Sequence, residues 1–137
     1  MIRIKYFYVD AGTHPKLGKV FHWQQRAICG EFKERYNQYL CEVLSSVAQS
    51  VDDCDRILNY IHEVQIGNQT EIETGGNDVT LTLTQSGVQV DIEINEDWIG
   101  QAEGHFQLAE WEAALKGWRL FLEMPKSLDS FVEVDLP

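Results

Sequence analysis

The hydrophobic pattern of this chain changes period near Gly67, and that change restricts the possible folds more than any other feature. Before Gly67, apolar side chains recur every three or four positions, which is typical of amphipathic helices. After it, in residues 79–84 and 88–94, apolar and polar residues alternate, which is typical of strands with one buried face. Because helices and strands fall in separate blocks, the sequence predicts an α+β fold rather than a doubly wound α/β fold.

Two helices are predicted before Gly67. The first covers residues 24–50, with Gly30 as an alternative start. The second begins at Asp52, whose carboxylate is a suitable N-cap, and ends near Gly67. All three cysteines fall in these helices, where we expect them to be reduced: Cys29, Cys41 and Cys54.

The strands predicted after Gly67 form an antiparallel meander over residues 71–73, 79–84 and 88–94. In the last strand one set of side chains is predicted to face the core: Val88, Val90, Ile92 and Ile94. The other face of the meander is then polar and acidic. At the start of the chain, we predict a strand at residues 2–9, a turn at 10–15 and a short return strand at 16–22.

A last helix is predicted at residues 108–122, after a polar loop at 95–107. Its apolar stripe consists of Leu108, Trp111, Leu115, Trp118 and Leu122. We expect this helix to lie across the apolar face of the meander and to end before Pro125. Residues 126–137 are either a flexible tail or an added edge strand. A length of 137 residues fits a single domain, residues 1–137.

Charge is divided unevenly along the chain. Residues 1–35 have a net charge of +4 and residues 36–137 a net charge of −15, within a total of −11. Between Ile57 and Leu115 there are eleven acidic residues and no lysine or arginine. Since charge of one sign repels itself within a fold, we interpret this region as a surface for a basic protein partner. Simple solvation is the alternative. Nucleic acid is not an expected partner, because its phosphates would be repelled.

No catalytic motif is complete. Residues 12–20 are similar to a phosphate-binding P-loop, but five residues rather than four separate the glycines, and Val20 replaces the hydroxyl residue. His62 and Glu63 begin the zinc-protease motif HExxH, but Ile66 replaces its second histidine. We therefore expect no catalytic residues, no cofactor and no metal, with a small enzyme as a minor alternative.

The chain has no apolar run near the ~20 residues of a membrane-spanning helix. Its first residues lack the apolar core and cleavage site of a signal peptide. We therefore expect a cytoplasmic protein that does not bind membranes. A homo-oligomer is not expected.

The candidate partner-binding residues lie in the meander and in the acidic loop that follows it. They are Glu71, Glu73, Asp78, Asp91, Glu93, Glu96, Asp97 and Trp98. Trp98 is either folded back on the core or exposed as an anchor, since tryptophan is enriched at interface hot spots.

Two segments are similar to a known kind of protein. Residues 76–84, followed by Gly87 and Val88, combine a Gly-Asn turn with an alternating hairpin. After the acidic loop, residues 108–122 form a predicted helix that ends in Trp-x-x-Phe-Leu. In this order, over about residues 67–125, they resemble small immunity proteins of bacterial polymorphic toxin systems, including contact-dependent growth inhibition.

The resemblance implies a small cytoplasmic inhibitor that binds one cognate toxin domain tightly and has no catalytic residues. Many such toxins are nucleases with basic surfaces, and we favour a ribonuclease. An acidic inhibitor would suit such a partner. The alternative is an acidic adaptor or subunit with no toxin partner.

Overall fold

The computed structural model describes all 137 residues and confirms the α+β class. In chain order the elements are β1 (Ile2–His14), β2 (Gly18–Cys29), α1 (Lys33–Tyr36), a π-helical turn (Asn37–Cys41), α2 (Glu42–Val47), α3 (Val51–Gln65), β3 (Glu71–Gly76), β4 (Val79–Thr84), β5 (Gly87–Ile92), two 3₁₀ turns (Glu96–Trp98 and Ala102–Gly104), β6 (His105–Phe106), α4 (Leu108–Leu122) and β7 (Phe131–Leu136). No helix has both the length and the apolar character that crossing a membrane requires.

The strands form two antiparallel sheets. Sheet 1 has the order β2-β1-β7, and sheet 2 has the order β3-β4-β5-β6. The predicted meander is therefore present as β3, β4 and β5, and β6 adds a short fourth strand. The buried apolar side chains of both sheets and of the helices belong to one cluster of 29 residues.

Helix α4 contacts the meander at β5, as predicted, but it packs mainly on sheet 1 and on α3 instead of lying across the apolar face of the meander. The aromatic residues explain this placement. The Tyr6 hydroxyl donates to the Ala114 carbonyl at 2.9 Å, and the Trp118 ring packs edge-on against the Tyr6 ring at 5.3 Å. The Trp118 indole also donates to the Ala48 carbonyl at 2.7 Å. Most of the apolar face of sheet 2 is covered by α2 and α3.

The N-terminal hairpin is longer than predicted. Residues 10–14 continue β1, since Asp10 pairs with Phe21 and Thr13 with Lys19, so the turn predicted at residues 10–15 is wrong. The predicted return strand is present and extends to Cys29 as β2. The chain turns instead just after His14, whose Nδ1 atom accepts hydrogen bonds from the Lys16 and Leu17 amides.

The first predicted helix also begins too early in the sequence-based assignment. Residues 24–29 pair with β1, and α1 starts only at Lys33. Gly30 (φ +116°) and Phe32 (φ 60°) adopt left-handed backbone conformations between the strand and the helix. Cys29 is consequently an exposed strand residue rather than a helical one, whereas Cys41 and Cys54 are buried, and all three thiols are free.

The structure also decides three smaller predictions, which concern the start of α3, the end of β5 and the C-terminal residues. Ser50, not Asp52, caps α3, because its hydroxyl accepts a hydrogen bond from the Asp53 amide at 3.1 Å. Strand β5 ends at Ile92, so Ile94 is 70% exposed instead of buried. At the C-terminal end, β7 pairs with β1, which confirms the edge-strand alternative for residues 126–137.

Candidate partner-binding surface

The outer face of sheet 2 is polar because the strands alternate. On β4 the side chains of Leu81 and Leu83 are fully buried, and the intervening threonines point outward. The register of β3 places Glu71 opposite Thr84 and Glu73 opposite Thr82, so both glutamates lie on the outer face. On the other side of β4, Asp91 lies opposite Thr80 and shares that face.

A row of threonines therefore separates two groups of carboxylates. Since neighbouring strands lie about 4.8 Å apart, the β3 group and the β5 group are about 10 Å from each other. The β3 group, Glu71 and Glu73, is exposed and makes no side-chain hydrogen bond. The β5 group, Asp91 and the Glu93 that directly follows the strand, is held in place: Asp91 Oδ1 accepts from the Gly100 amide at 2.8 Å, and Glu93 accepts from the Thr80 hydroxyl at 2.6 Å.

The end of sheet 2 next to the β3–β4 turn contains a depression of about 210 Å³. Asp78 lies in that turn with φ 57°, and its carbonyl accepts a hydrogen bond from the Glu93 amide at 2.7 Å. The depression has apolar residues at its base and carboxylates on its wall, and the lining residues are Gln38, Glu42, Val43, Ser46, Asn77, Asp78, Val79, Ile92, Ile94 and Trp98. We call it the acidic depression.

Trp98 is a wall of the acidic depression rather than a protruding anchor. It is half-buried and packs against the hydrophobic core, so the folded-back alternative describes it. Glu96 and Asp97 precede it in a 3₁₀ turn, whose start is capped by the Asn95 side chain at 3.0 Å from the Asp97 amide. Both carboxylates are exposed.

Of the ten lining residues, the sequence predicts only Asp78 and Trp98 as site residues, and two of the other eight are instructive. Glu42 comes from α2, far from the meander in sequence, and no local pattern could have brought it to this site. Ile94 was assigned to the core because it continues the alternation of β5. Its exposure follows from the turn that begins at Glu93.

The candidate carboxylates have no positive partner within the protein. All five salt bridges use other acidic residues: Asp53, Asp55, Glu112, Glu123 and Asp135. The seven carboxylates of sheet 2 and its following loop are in none of them. A bound protein with basic side chains would therefore meet charges that the fold itself does not neutralise.

The remaining reactive side chains do not converge on one site. No group of three or more His, Cys, Asp or Glu residues is arranged to hold a metal ion. Burial raises the pKa of the Cys41 thiol to about 12 and that of the Cys54 thiol to about 11, so both are protonated at neutral pH. His105 Nε2 is 3.0 Å from the Ser86 carbonyl, and the other histidines lie on separate elements.

No family model matches this chain, and no curated protein or solved structure is significantly similar to it. The candidate function is therefore inferred from the surface of the molecule.

Proposed function

We propose that this protein is a cytoplasmic immunity protein that neutralises a basic bacterial toxin domain, a nuclease, by binding it through sheet 2. The observation that carries the proposal is the set of seven carboxylates without internal positive partners. They lie on the outer face of sheet 2 and around its adjoining end. The resemblance of residues 67–125 to immunity proteins supports the same function. Inhibition results from binding, with no catalytic step in this protein.

Charge favours this kind of partner. A nuclease presents a basic surface to its phosphate substrate, and a face that carries uncompensated negative charge accelerates the encounter and covers that surface. A stable complex of this type buries about 1,600 Å² in total. The outer face of sheet 2 and the acidic depression together form the proposed interface.

The acidic depression suits a lysine or arginine side chain of the toxin. Val43 and Ile92 supply an apolar base for the methylene stem, while Glu42 and Asp78 supply negative charge for the cationic head. Trp98 encloses one side. This arrangement, an apolar site with a polar rim, is the usual form of an interface hot spot.

The first test is recovery of the partner from an extract of the source cells at low and at high salt, with identification by mass spectrometry. We expect one basic toxin-like domain at low salt, whose nuclease activity falls when this protein is added. We also expect the gene to lie directly downstream of a large toxin gene. Recovery of housekeeping enzymes alone, or of this protein alone, would reject the proposal and favour an adaptor.

The second test locates the interface once the toxin is in hand. The double variant Glu71→Lys, Glu73→Lys is suitable because neither side chain has a hydrogen bond to lose. Its matched control is Glu31→Lys, Glu34→Lys, which makes the same change in net charge at two exposed residues outside sheet 2. Asp91 and Glu93 are less suitable, since their bonds to Gly100 and Thr80 shape the surface.

We expect the sheet 2 variant to weaken toxin binding by about ten-fold or more at low salt, chiefly through slower association, with a smaller effect at high salt. The control variant should change affinity by less than about three-fold. Trp98→Ala should also weaken binding, and this loss should be insensitive to salt. Equal effects of the two charge variants would exclude the outer face of sheet 2 as the interface.

A further inference from the structure

Strand β2 has an outer edge with which no other strand pairs. It is the outermost strand of sheet 1. Near its C-terminal end, the Ala27 amide points away from β1 and donates to Asn37 Oδ1 at 2.8 Å. Because amides alternate in direction along an antiparallel strand, those of Phe21, Trp23 and Gln25 point to the same open side. Of these four amides, only that of Ala27 donates a hydrogen bond to a side chain.

The open stretch lacks the features that usually protect a sheet edge. Such edges are commonly blocked by proline, by bulges or by charged side chains. Residues 21–25 contain no proline, glycine, lysine, arginine or carboxylate. The irregularities in the β1–β2 register lie outside this stretch, at either end of it. The stretch is also anchored to the core, since the Trp23 ring packs edge-on against Trp118 at 5.4 Å.

A groove follows this edge. One depression of about 480 Å³ is lined by Tyr8, Phe21, His22, Trp23, Gln24 and Lys126. A second, of about 330 Å³, is lined by Trp23, Gln24, Gln25, Arg26, Asn37, Glu42 and Ser45. The two share Trp23 and Gln24 and so adjoin each other along the strand. An extended segment of about five residues, roughly 17 Å long, would follow the stretch from Phe21 to Gln25.

Four of the seven cations that make no salt bridge lie at or near the same place. Arg26 and Lys126 line the groove, and Lys16 and Lys19 belong to the hairpin from which β2 begins. None of these four takes part in a salt bridge. Three of the seven cations of residues 1–35 are therefore near the β2 edge, and Glu42 is the one carboxylate that lines the groove.

The opposite edge of sheet 1 shows which kind of strand this sheet accepts. There β7 alternates acidic and apolar residues, with Glu133 opposite Lys5 and Asp135 opposite Arg3. The Arg3 guanidinium contacts the Asp135 carboxylate at 2.7 Å. The β2 edge has the same combination of open backbone and positive side chains, but no acidic strand beside it.

We propose that the β2 edge binds an extended acidic segment of a partner protein by strand addition. The backbone of the segment pairs with Phe21, Trp23 and Gln25, and its carboxylates meet Arg26 and Lys126. A second copy of this protein is a poorer occupant, because antiparallel pairing of two β2 strands would bring positive side chains together. The site lies along sheet 1 and does not depend on the toxin proposal, although Glu42 lines both this groove and the acidic depression.

The test uses a synthetic peptide with the sequence of residues 130–137, which is an acidic, alternating strand. It is titrated into the isotope-labelled full-length protein and followed by amide NMR. We expect shift changes centred on residues 21–26 and slower hydrogen exchange, by about ten-fold or more, at the amides of Trp23 and Gln25. Shift changes confined to β1 and β7 would mean that the peptide only replaces β7, and would overturn the proposal.

Two backbone-methylated peptides test strand pairing without altering the protein. One carries N-methyl groups at positions 131, 133 and 135, and the other at 132, 134 and 136. Since only alternate amides of an added strand face β2, one peptide should lose binding and the other should keep it. Equal binding by both, or no binding of the parent peptide at about 1 mM, would overturn the proposal.

Charge variants complete the test. Arg26→Glu combined with Lys126→Glu should weaken peptide binding by about ten-fold or more, because both residues line the groove. Lys33→Glu, which changes another cation without a salt bridge, should leave affinity within about two-fold. A single-stranded oligonucleotide that produces the same shift changes at lower concentration would assign the groove to phosphates and reject the acidic-peptide proposal.

Discussion

Gly117 lies where α4 meets sheet 1, and its replacement by alanine is a sensitive test of that packing. A β-carbon added at Gly117 would fall well inside van der Waals contact with Val134 Cγ2 and 3.2 Å from Tyr6 Cε2. Val134 is β-branched, so its side chain has few alternative rotamers. Tyr6 is fully buried and anchored to the Ala114 carbonyl. Tyr6 cannot move away without losing that hydrogen bond, and Val134, which is half-buried, would have to change its rotamer.

Two opposing effects determine how much Gly117→Ala changes the free energy of unfolding. In an exposed helix interior, alanine is more favourable than glycine by about 1 kcal/mol. Overpacking of a filled site costs about 1–3 kcal/mol, and the close approach of Val134 places this site toward the upper end. We therefore expect Gly117→Ala to lower the free energy of unfolding by about 1–2 kcal/mol. For a chain of this length, that corresponds to a fall in Tm of roughly 3–6 °C.

The assay is urea unfolding followed by tryptophan fluorescence, in a double-mutant cycle with Val134→Ala. Removing the Val134 methyl groups makes room for the new β-carbon, so Gly117→Ala should be neutral or stabilising in that background. The coupling energy should be about 1 kcal/mol or more. Stabilisation by Gly117→Ala in the unmodified protein would refute the close approach of α4 to β7. Lys116→Ala, at the neighbouring exposed position, is the control and should have little effect.

Other outcomes follow from particular contacts. Alkylation at pH 8 should label only Cys29 in the folded protein and all three cysteines after denaturation, as counted by mass spectrometry, because the other two thiols are buried. A hydrogen bond from the Gln49 amide, together with Arg56, lowers the pKa of Asp53. This stabilisation is present above the unfolded pKa of about 3.9 and is lost as pH falls through the folded pKa, so Asp53→Asn should make acid unfolding less steep below about pH 4. Trp118→Phe should lower the free energy of unfolding by about 1–3 kcal/mol in a denaturant titration, since its buried indole hydrogen bond is lost.

The sequence predicted the elements whose signal is local. Strict alternation identified β4 and β5, and the apolar stripe with Pro125 identified α4 to within its observed limits. Residues 24–29 show why the secondary structure of the N-terminal region was harder to predict. Their mixed polar and apolar pattern fits a helix as well as a strand, and only pairing with the distant β1 decides between them. The left-handed conformation of Phe32 likewise has no sequence signature, because phenylalanine seldom adopts it.

Part of the candidate surface was also predictable, because local alternation of side chains determines it. Alternation alone places Glu71, Glu73 and Asp91 on one face once the strands are aligned. Glu42 reaches the acidic depression only because α2 packs beside the end of sheet 2. The absence of internal partners for the carboxylates depends on where every lysine and arginine lies, which is a property of the whole fold.

The pairing of β1 with β7 also has a consequence for the order of folding during translation. During synthesis β1 leaves the ribosome more than a hundred residues before its partner Phe131–Leu136. Until then the β1–β2 hairpin has two unpaired edges, and the buried side of β1, with Ile4 and Tyr6, lacks part of its cover. Closing sheet 1 is therefore a late event that joins residues more than a hundred positions apart. Until β7 is released, the unpaired edge and the apolar side of β1 leave the nascent chain open to aggregation.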